Sequence, residues 1–449
     1  MTDASPTPVW AVVPFAAYLL GIALVPIFFG HFWEKNRNKL IVALVMSTPV
    51  LLFLLSREGG GHELGRTAAD YAAFMALLAA LFTISGGICL RGALVGTPLV
   101  NIAFLAAGAV LGSIVGTTGA SVLLIRPLLR ANERRPYATH VIVFFIFIVS
   151  NAAGLLTPLG DPPLFLGFLR GVPFTWTFRL LPEWALVNGL LLVVFGAIDR
   201  VVFARARRRT KLYRVAELAA PSPDDEGPLR IEGSLNLLWL VGMVVIVFFI
   251  GAYGERAFGD GYLRAAVQVV GTLGCAALSF RTTAPRVHEL NRFSWAPIIE
   301  VAVVFVGVFI TMVPAMSFLA ERGATLGITK PWHFFWAAGV LSSVLDNAPT
   351  YLTFASLATG VAGGAGAEAL SPGNLGALAA HPVGQDLLRA ISCGAVFMGA
   401  VTYMGNGPNF MVKAIAEQHH VRMPSFFGYT LWSVAILMPL FGIVSRVFF

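Results

Sequence analysis

The chain has 449 residues, of which 57% are hydrophobic and only 12% charged, with a mean hydropathy of +0.78. A soluble domain carries about 25% charged residues, so this composition excludes an ordinary water-soluble core and points to many bilayer crossings. The formal charge of +8 does not imply nucleic acid, because the basic residues lie in short loops between apolar runs, where they act as topology signals.

Met1–Pro8 is short, polar and without a basic region, so Trp10–Gly30 reads as a retained first span. Further spans are expected at Lys39–Ser56, Tyr71–Leu90 and Asn101–Gly116. Gly116 to Ser121 then interrupts the apolar character before Val122–Leu129 continues it. Two short arms around a small, hydroxyl-rich tip describe a re-entrant hairpin, but a single tilted helix with a small-residue packing patch fits equally well. Next come Thr139–Ala153 and the stretch Ser150 to Pro163, where Asn151, Gly154, Pro158, Gly160 and the Pro162-Pro163 pair forbid a continuous helix. In so apolar a chain, such a break offers its backbone groups to a ligand. Glu183–Ala204 is the last span before a basic run, Arg205 to Lys211, and a polar connector.

The second half runs Leu235–Ala252, Arg264–Phe280, Pro297–Ala320, His333–Thr359, Leu388–Met404 and Ser425–Val447, with Gly360–Gly384 as a Gly/Ala-rich external loop. Both halves order three spans, an interrupted segment, a segment broken by Asn, Gly and Pro, and a last span. Residues Asp346 to Thr350 stand opposite the first tip, and Gly405 to Asn409 stand opposite Ser150–Asp161. Matched interruptions of this kind mark the binding region of transporters and favour the hairpins. The expected fold is an all-α polytopic membrane protein of two inverted-topology repeats, residues 1–204 and 235–449, joined by a cytoplasmic linker at 205–234. It has about ten transmembrane helices plus two re-entrant hairpins and broken helices. With the Arg205–Lys211 run in the cytoplasm, this count also places Arg91, Arg126, Arg130, Arg135, Arg281, Arg286, Arg292 and Lys413 inside. The N-terminus and residues 57–70, 254–261 and 360–384 then fall outside.

The breaks carry hard oxygen ligands suited to Na⁺: Thr117, Thr118, Ser121, Ser150, Asn151 and Thr157 in the first half, and Asn347, Thr350, Thr402, Asn406 and Asn409 in the second. Asp161 and Asp346 are acids at membrane-interior breaks, able to hold a cation when ionised or a proton when neutral. Asp161 also fits an Asx turn before its prolines, which makes Asp346 the stronger candidate. Arg126, in the second hairpin arm, could pair with a carboxylate or snorkel to the interface. Glu300 and His140 are expected at the interface, and the separated thiols of Cys89, Cys275 and Cys393 inside apolar segments. Paired histidines for a metal and a nucleophile with its base are both missing, so enzyme chemistry is not expected.

Ser150-Asn151 through Thr157-Pro158-Leu159-Gly160-Asp161-Pro162-Pro163 resembles the signature of the ion transporter superfamily, which includes sodium:proton antiporters, arsenite pumps and citrate or dicarboxylate carriers. Asp346 to Thr350 and Gly405 to Asn409 resemble its second-half motifs, so the likeness covers nearly the whole chain. The resemblance implies inverted repeats, re-entrant hairpins, homodimers and elevator-like movement. The tips lack the paired Ser-Asn-Thr triplets of the dicarboxylate carriers, and Pro408-Asn409 stands where many relatives have a Thr-hydrophobic pair. The expected function is therefore a sodium:proton antiporter of the bacterial inner membrane, with the citrate or dicarboxylate carrier as the alternative. The expected partners are a small ion and the lipid bilayer, with Na⁺ and H⁺ as transported or coupling ions and no other cofactor.

Overall fold

The computed structural model describes residues 7–92, 94–209, 230–258, 261–322, 325, 327–363 and 375–449. The chain is an all-α, multi-pass membrane protein, and ten helical stretches among the described residues are long and apolar enough to cross a bilayer. The first half comprises α1 (Val13–Phe28), α2 (Gly30–Trp33), α3 (Asn36–Leu55), α4 (Gly60–Gly86), α5 (Pro98–Val115), α6 (Thr117–Ala131), α7 (Thr139–Ile148), α8 (Pro162–Leu169) and α9 (Leu181–Arg209). The second comprises α10 (Leu235–Phe258), α11 (Gly261–Thr282), α12 (Pro285–Leu290), α13 (Ala296–Arg322), α14 (Pro331–Val344), α15 (Asn347–Gly363), α16 (Leu375–Ala380), α17 (Pro382–Met398), α18 (Gly407–Gln418) and α19 (Phe426–Phe448). Two short strands, β1 (Cys89–Arg91) and β2 (Arg230–Glu232), pair antiparallel with Leu90 opposite Ile231. That pairing fixes the end of the linker to the exit of α4.

Several boundaries differ from expectation. Helix α4 begins at Gly60, so most of residues 57–70 is helical and not loop. The expected 360–384 loop is shorter, because α15 runs to Gly363 and α16 and α17 resume at Leu375. There the Leu375 amide donates to the Arg170 carbonyl (2.8 Å), and His381 Nδ1 caps α17 by accepting from the Gly384 amide (3.2 Å). The central part of that loop (364–374) and most of the linker (210–229) lie outside the described residues. The prolines that end the apolar run after α7 also start α8, since Pro162 and Pro163 occupy its first turn, where a missing amide hydrogen costs nothing. Gly407-Pro408 does the same for α18.

The broken segments are the innermost parts of the molecule. Val141 to Ile148 of α7 are completely or almost completely buried, as are Ala390 to Met398 of α17. A helix apolar on all sides belongs in such a position. Helix α5 turns at Gly116, at a positive φ of 78°, directly into α6. Lipid provides little hydrophobic drive between helices, so close approach of small residues has to hold them together. Gly108 and Gly112, four residues apart on α5, meet the α7 segment this way. A β-carbon added to Gly108 would lie 2.6 Å from Val149 Cγ2, and one added to Gly112 would lie 2.5 Å from Ala153 Cβ.

A charged network closes the other end of this hairpin. Asp199 of α9, fully buried, accepts from Arg135 (2.5 and 3.1 Å), His140 Nε2 (2.7 Å) and Asn101 Nδ2 (3.2 Å). Asn101 and Asn132 exchange two amide bonds of 2.9 Å. His140 is thus buried within the protein and bonded. A second buried acid, Glu183 at the start of α9, is bonded to Arg389 of α17. Lys39 donates to Glu300 (2.5 Å), whose side chain is half exposed, in keeping with an interfacial site. Because Asp199 neutralises a buried guanidinium, Asp199→Ala is expected to cost about 3 kcal/mol. The measurement is thermal melting of the purified protein in detergent, and an unchanged melting temperature would show that the network does not hold the hairpin.

Candidate functional site

Four helices begin at one point in the protein interior. These are α6 at Thr117, α8 after Asp161, α15 at Asn347 and α18 after Asn406. Asp161 joins them. It is 1% exposed, and its Oδ1 accepts from Thr117 Oγ1 (3.0 Å) and Asn406 Nδ2 (3.4 Å). Its Oδ2 accepts from Asn347 Nδ2 (2.5 Å). Thr117 lies on the first hairpin tip, Asn347 on the second, and Asn406 on the second broken segment, so one carboxylate ties together all the matched breaks. The Thr117 amide also donates to the Gly160 carbonyl (2.8 Å), fixing the tip against the start of α8.

All the hydrogen-bond partners of Asp161 named above are neutral, and no Lys, Arg or His among the described residues forms an ion pair with it. A buried carboxylate without a positive partner is expensive and invites a cation or a proton. Asn347 strengthens this reading. It is fully buried, and its Oδ1 has no hydrogen-bond partner among the described residues. An orphaned amide oxygen and an uncompensated carboxylate are the oxygen types that a small hard cation takes as ligands.

The other expected residues separate into connectors and neighbours. Asn151 Nδ2 donates to Asn409 Oδ1 (2.7 Å) and to the Ile146 carbonyl (2.8 Å), bridging the two broken segments. Asn409 in turn donates to the Gly399 and Thr402 carbonyls (2.8 and 3.0 Å). Ser121 and Ser150 hydroxyls lie 2.8 Å apart, one turn into α6. Thr157 and Thr402 are backbone clamps: Thr157 donates to the Ser113 carbonyl (2.5 Å) and Thr402 to the Ser343 carbonyl (2.6 Å). Thr350 donates to the Asp346 carbonyl (3.0 Å) within its own helix turn. Thr118 is half-buried and, among the described residues, makes none of these bonds. Asp346 accepts from the Ala348 amide (3.0 Å), so it forms the local turn expected of Asp161, while Asp161 makes the bonds across the halves.

Arg126 is not at the tip. It lies nine positions along α6 from Thr117, about 13 Å at 1.5 Å per residue. Its surroundings are cationic: burial first, then Arg126, Arg292 and Arg130, hold the His419 imidazole below its usual pKa.

One register escaped the sequence reading although the signal was present. Thr157-Pro-Leu-Gly-Asp161 and Thr402-Tyr-Met-Gly-Asn406 align without a gap, so Asn406 is the counterpart of Asp161. The two threonines make matching clamps, and 3₁₀ turns at Ala152–Leu156 and Gly399–Val401 precede them. Gly154 lies three positions before Thr157, and Gly399 three before Thr402. A β-carbon on Gly154 would stand 2.7 Å from Asp161 Cβ and 2.9 Å from Thr117 Cγ2.

The sequence pattern of the family described as putative citrate transport matches residues 4–449. A protein of Synechocystis sp. named as an uncharacterized transporter is 25% identical over 315 residues, 67% of this chain and 66% of that protein. Close packing at Gly154 makes a specific demand on the site. Gly154→Ala is expected to displace Asp161 or Thr117 and lower stability by about 1–3 kcal/mol. Gly189→Ala, with open space at its β-carbon, should melt at the native temperature or above. Equal melting of the two variants would remove the packing constraint on Asp161.

Proposed function

The chain belongs to the putative citrate transport family, and from that premise we propose that it is a cation-coupled secondary transporter of citrate or a related small carboxylate. One observation carries the reading: four helix starts converge on a buried carboxylate that has no cationic partner among the described residues. The helix starts present partial positive charge to an anionic substrate. Asp161, with the oxygens of Asn347 and Thr117, holds the coupling Na⁺ and gives it up to a proton when the site turns over. Bringing anion and cation to one point lowers the cost of moving either through the bilayer.

The matched registers around Thr157 and Thr402 support two inverted repeats, residues 1–204 and 235–449. The basic residues near β1, β2 and α12 support placing that face in the cytoplasm of a bacterial inner membrane. A homodimer and elevator-like movement would follow from that architecture.

Sodium:proton exchange is the second reading, and it too has an observation behind it. Among the described residues nothing positively charged bonds to Asp161, an arrangement that suits a junction serving cations alone. Proteoliposomes separate the two. The carrier reading expects labelled citrate uptake that rises at least tenfold under an inward Na⁺ gradient and is lost in Asp161→Asn. Na⁺-driven proton movement with no uptake of citrate or a dicarboxylate would replace it with the exchanger.

A further inference from the structure

A cavity of about 390 Å³ opens beside the start of α4, and nothing in the junction accounts for it. Its wall joins the first turns of α4 and α11, the end of α8 and the last third of α13. Helix α4 is 27 residues long, about 40 Å at 1.5 Å per residue. Its other end carries the Gly86 carbonyl bonded to Asn291 and the β1–β2 pair. The cavity therefore lies at the membrane face opposite the basic loops.

Three arginines line it: Arg66, Arg170 and Arg264. Two of them are fixed in place. Arg170 Nε donates to Asp70 Oδ2 (3.2 Å), and its Nη1 donates to the weak acceptor Met316 Sδ at 3.7 Å. Arg264 Nη2 donates to the Leu169 carbonyl (3.3 Å), covering the negative end of α8. A guanidinium has five donor hydrogens, so both keep capacity for a further acceptor. Arg66 stands exposed at the rim. Among the described residues the lining acids are Glu63 and Asp70, so the described lining carries an excess of one positive charge. This is an unusual endowment for a protein with 12% charged residues.

Position completes the argument. Helix α8 begins after Asp161 and ends before Arg170, so one eight-residue helix, about 12 Å long, separates cavity and junction. We propose that this cavity is an outer anion-capture site, which takes a di- or tricarboxylate of the citrate class through Arg66, Arg170 and Arg264 before it passes to the junction. The inference rests on the carboxylate-carrier reading above. Such a site raises the local substrate concentration, and its effect is screened by salt.

The test is citrate uptake by the full chain in proteoliposomes sorted for orientation. Arg66→Gln with Arg264→Gln should raise KM about fivefold while the maximal rate falls less than twofold. About 0.3 M choline chloride should bring the unsubstituted protein's KM toward that of the variant. Lys330→Gln, an exposed cation outside the cavity, should leave KM as it was. If Arg264→Gln does not fold, Arg66→Gln alone should still raise KM. Unchanged KM in the cavity variants, or an equal rise in Lys330→Gln, overturns the capture site while leaving the carrier intact. No uptake of citrate or succinate by the unsubstituted protein overturns the carrier, and the capture site with it.

Discussion

A carboxylate deep in the protein, whose partners among the described residues are all neutral, is the constraint around which the rest of this molecule is arranged. Asp161 accepts from Thr117, Asn347 and Asn406, residues that come from both halves of the chain. Each bond is charge-assisted and individually worth roughly 1.5–3 kcal/mol, yet none supplies the positive charge that a buried anion requires. The helix starts behind these residues supply part of it through their dipoles. On the proposed function, the remainder comes from an ion that binds and leaves, which is what coupled transport requires.

The contrast with Asp199 sharpens this point. Both acids are buried among apolar helices, but Asp199 has a bidentate arginine, a histidine and an asparagine around it. Such a set satisfies the carboxylate permanently and clamps α5, α6, α7 and α9 together at the end away from the tip. Glu183 with Arg389 likewise links α9 to α17. These two acids are each paired with an arginine and make fixed joints, whereas Asp161 has no such partner among the described residues. The Gly108 and Gly112 contacts with Val149 and Ala153 hold the hairpin arm on the broken segment, and Gly154 leaves just enough room for Asp161 beside Thr117.

The breaks, their pairing and the oxygen-rich residues at them were legible from the sequence, because proline, glycine and asparagine inside apolar runs have few structural explanations. The choice between Asp161 and Asp346 was not. Both precede a helix start, and only the fold shows that one reaches across the halves while the other caps its own turn. The fate of Arg126 depended on helix direction, which periodicity does not supply. Asp199, His140 and Arg135 come from distant segments, so their network has no local signature. The α8 start was hidden by the same Pro162-Pro163 that announced the break, since proline both ends one helix and begins another. The aligned Thr-x-x-Gly-Asp and Thr-x-x-Gly-Asn registers could have been found by sliding one half along the other.

The proposal that Asp161 binds a cation is tested most directly by ligand-linked stability. In purified protein, thermal melting should rise with added Na⁺ at constant ionic strength, and this dependence should disappear in Asp161→Asn. Melting of the native chain that ignores Na⁺, or a rise that persists in the variant, would contradict the account.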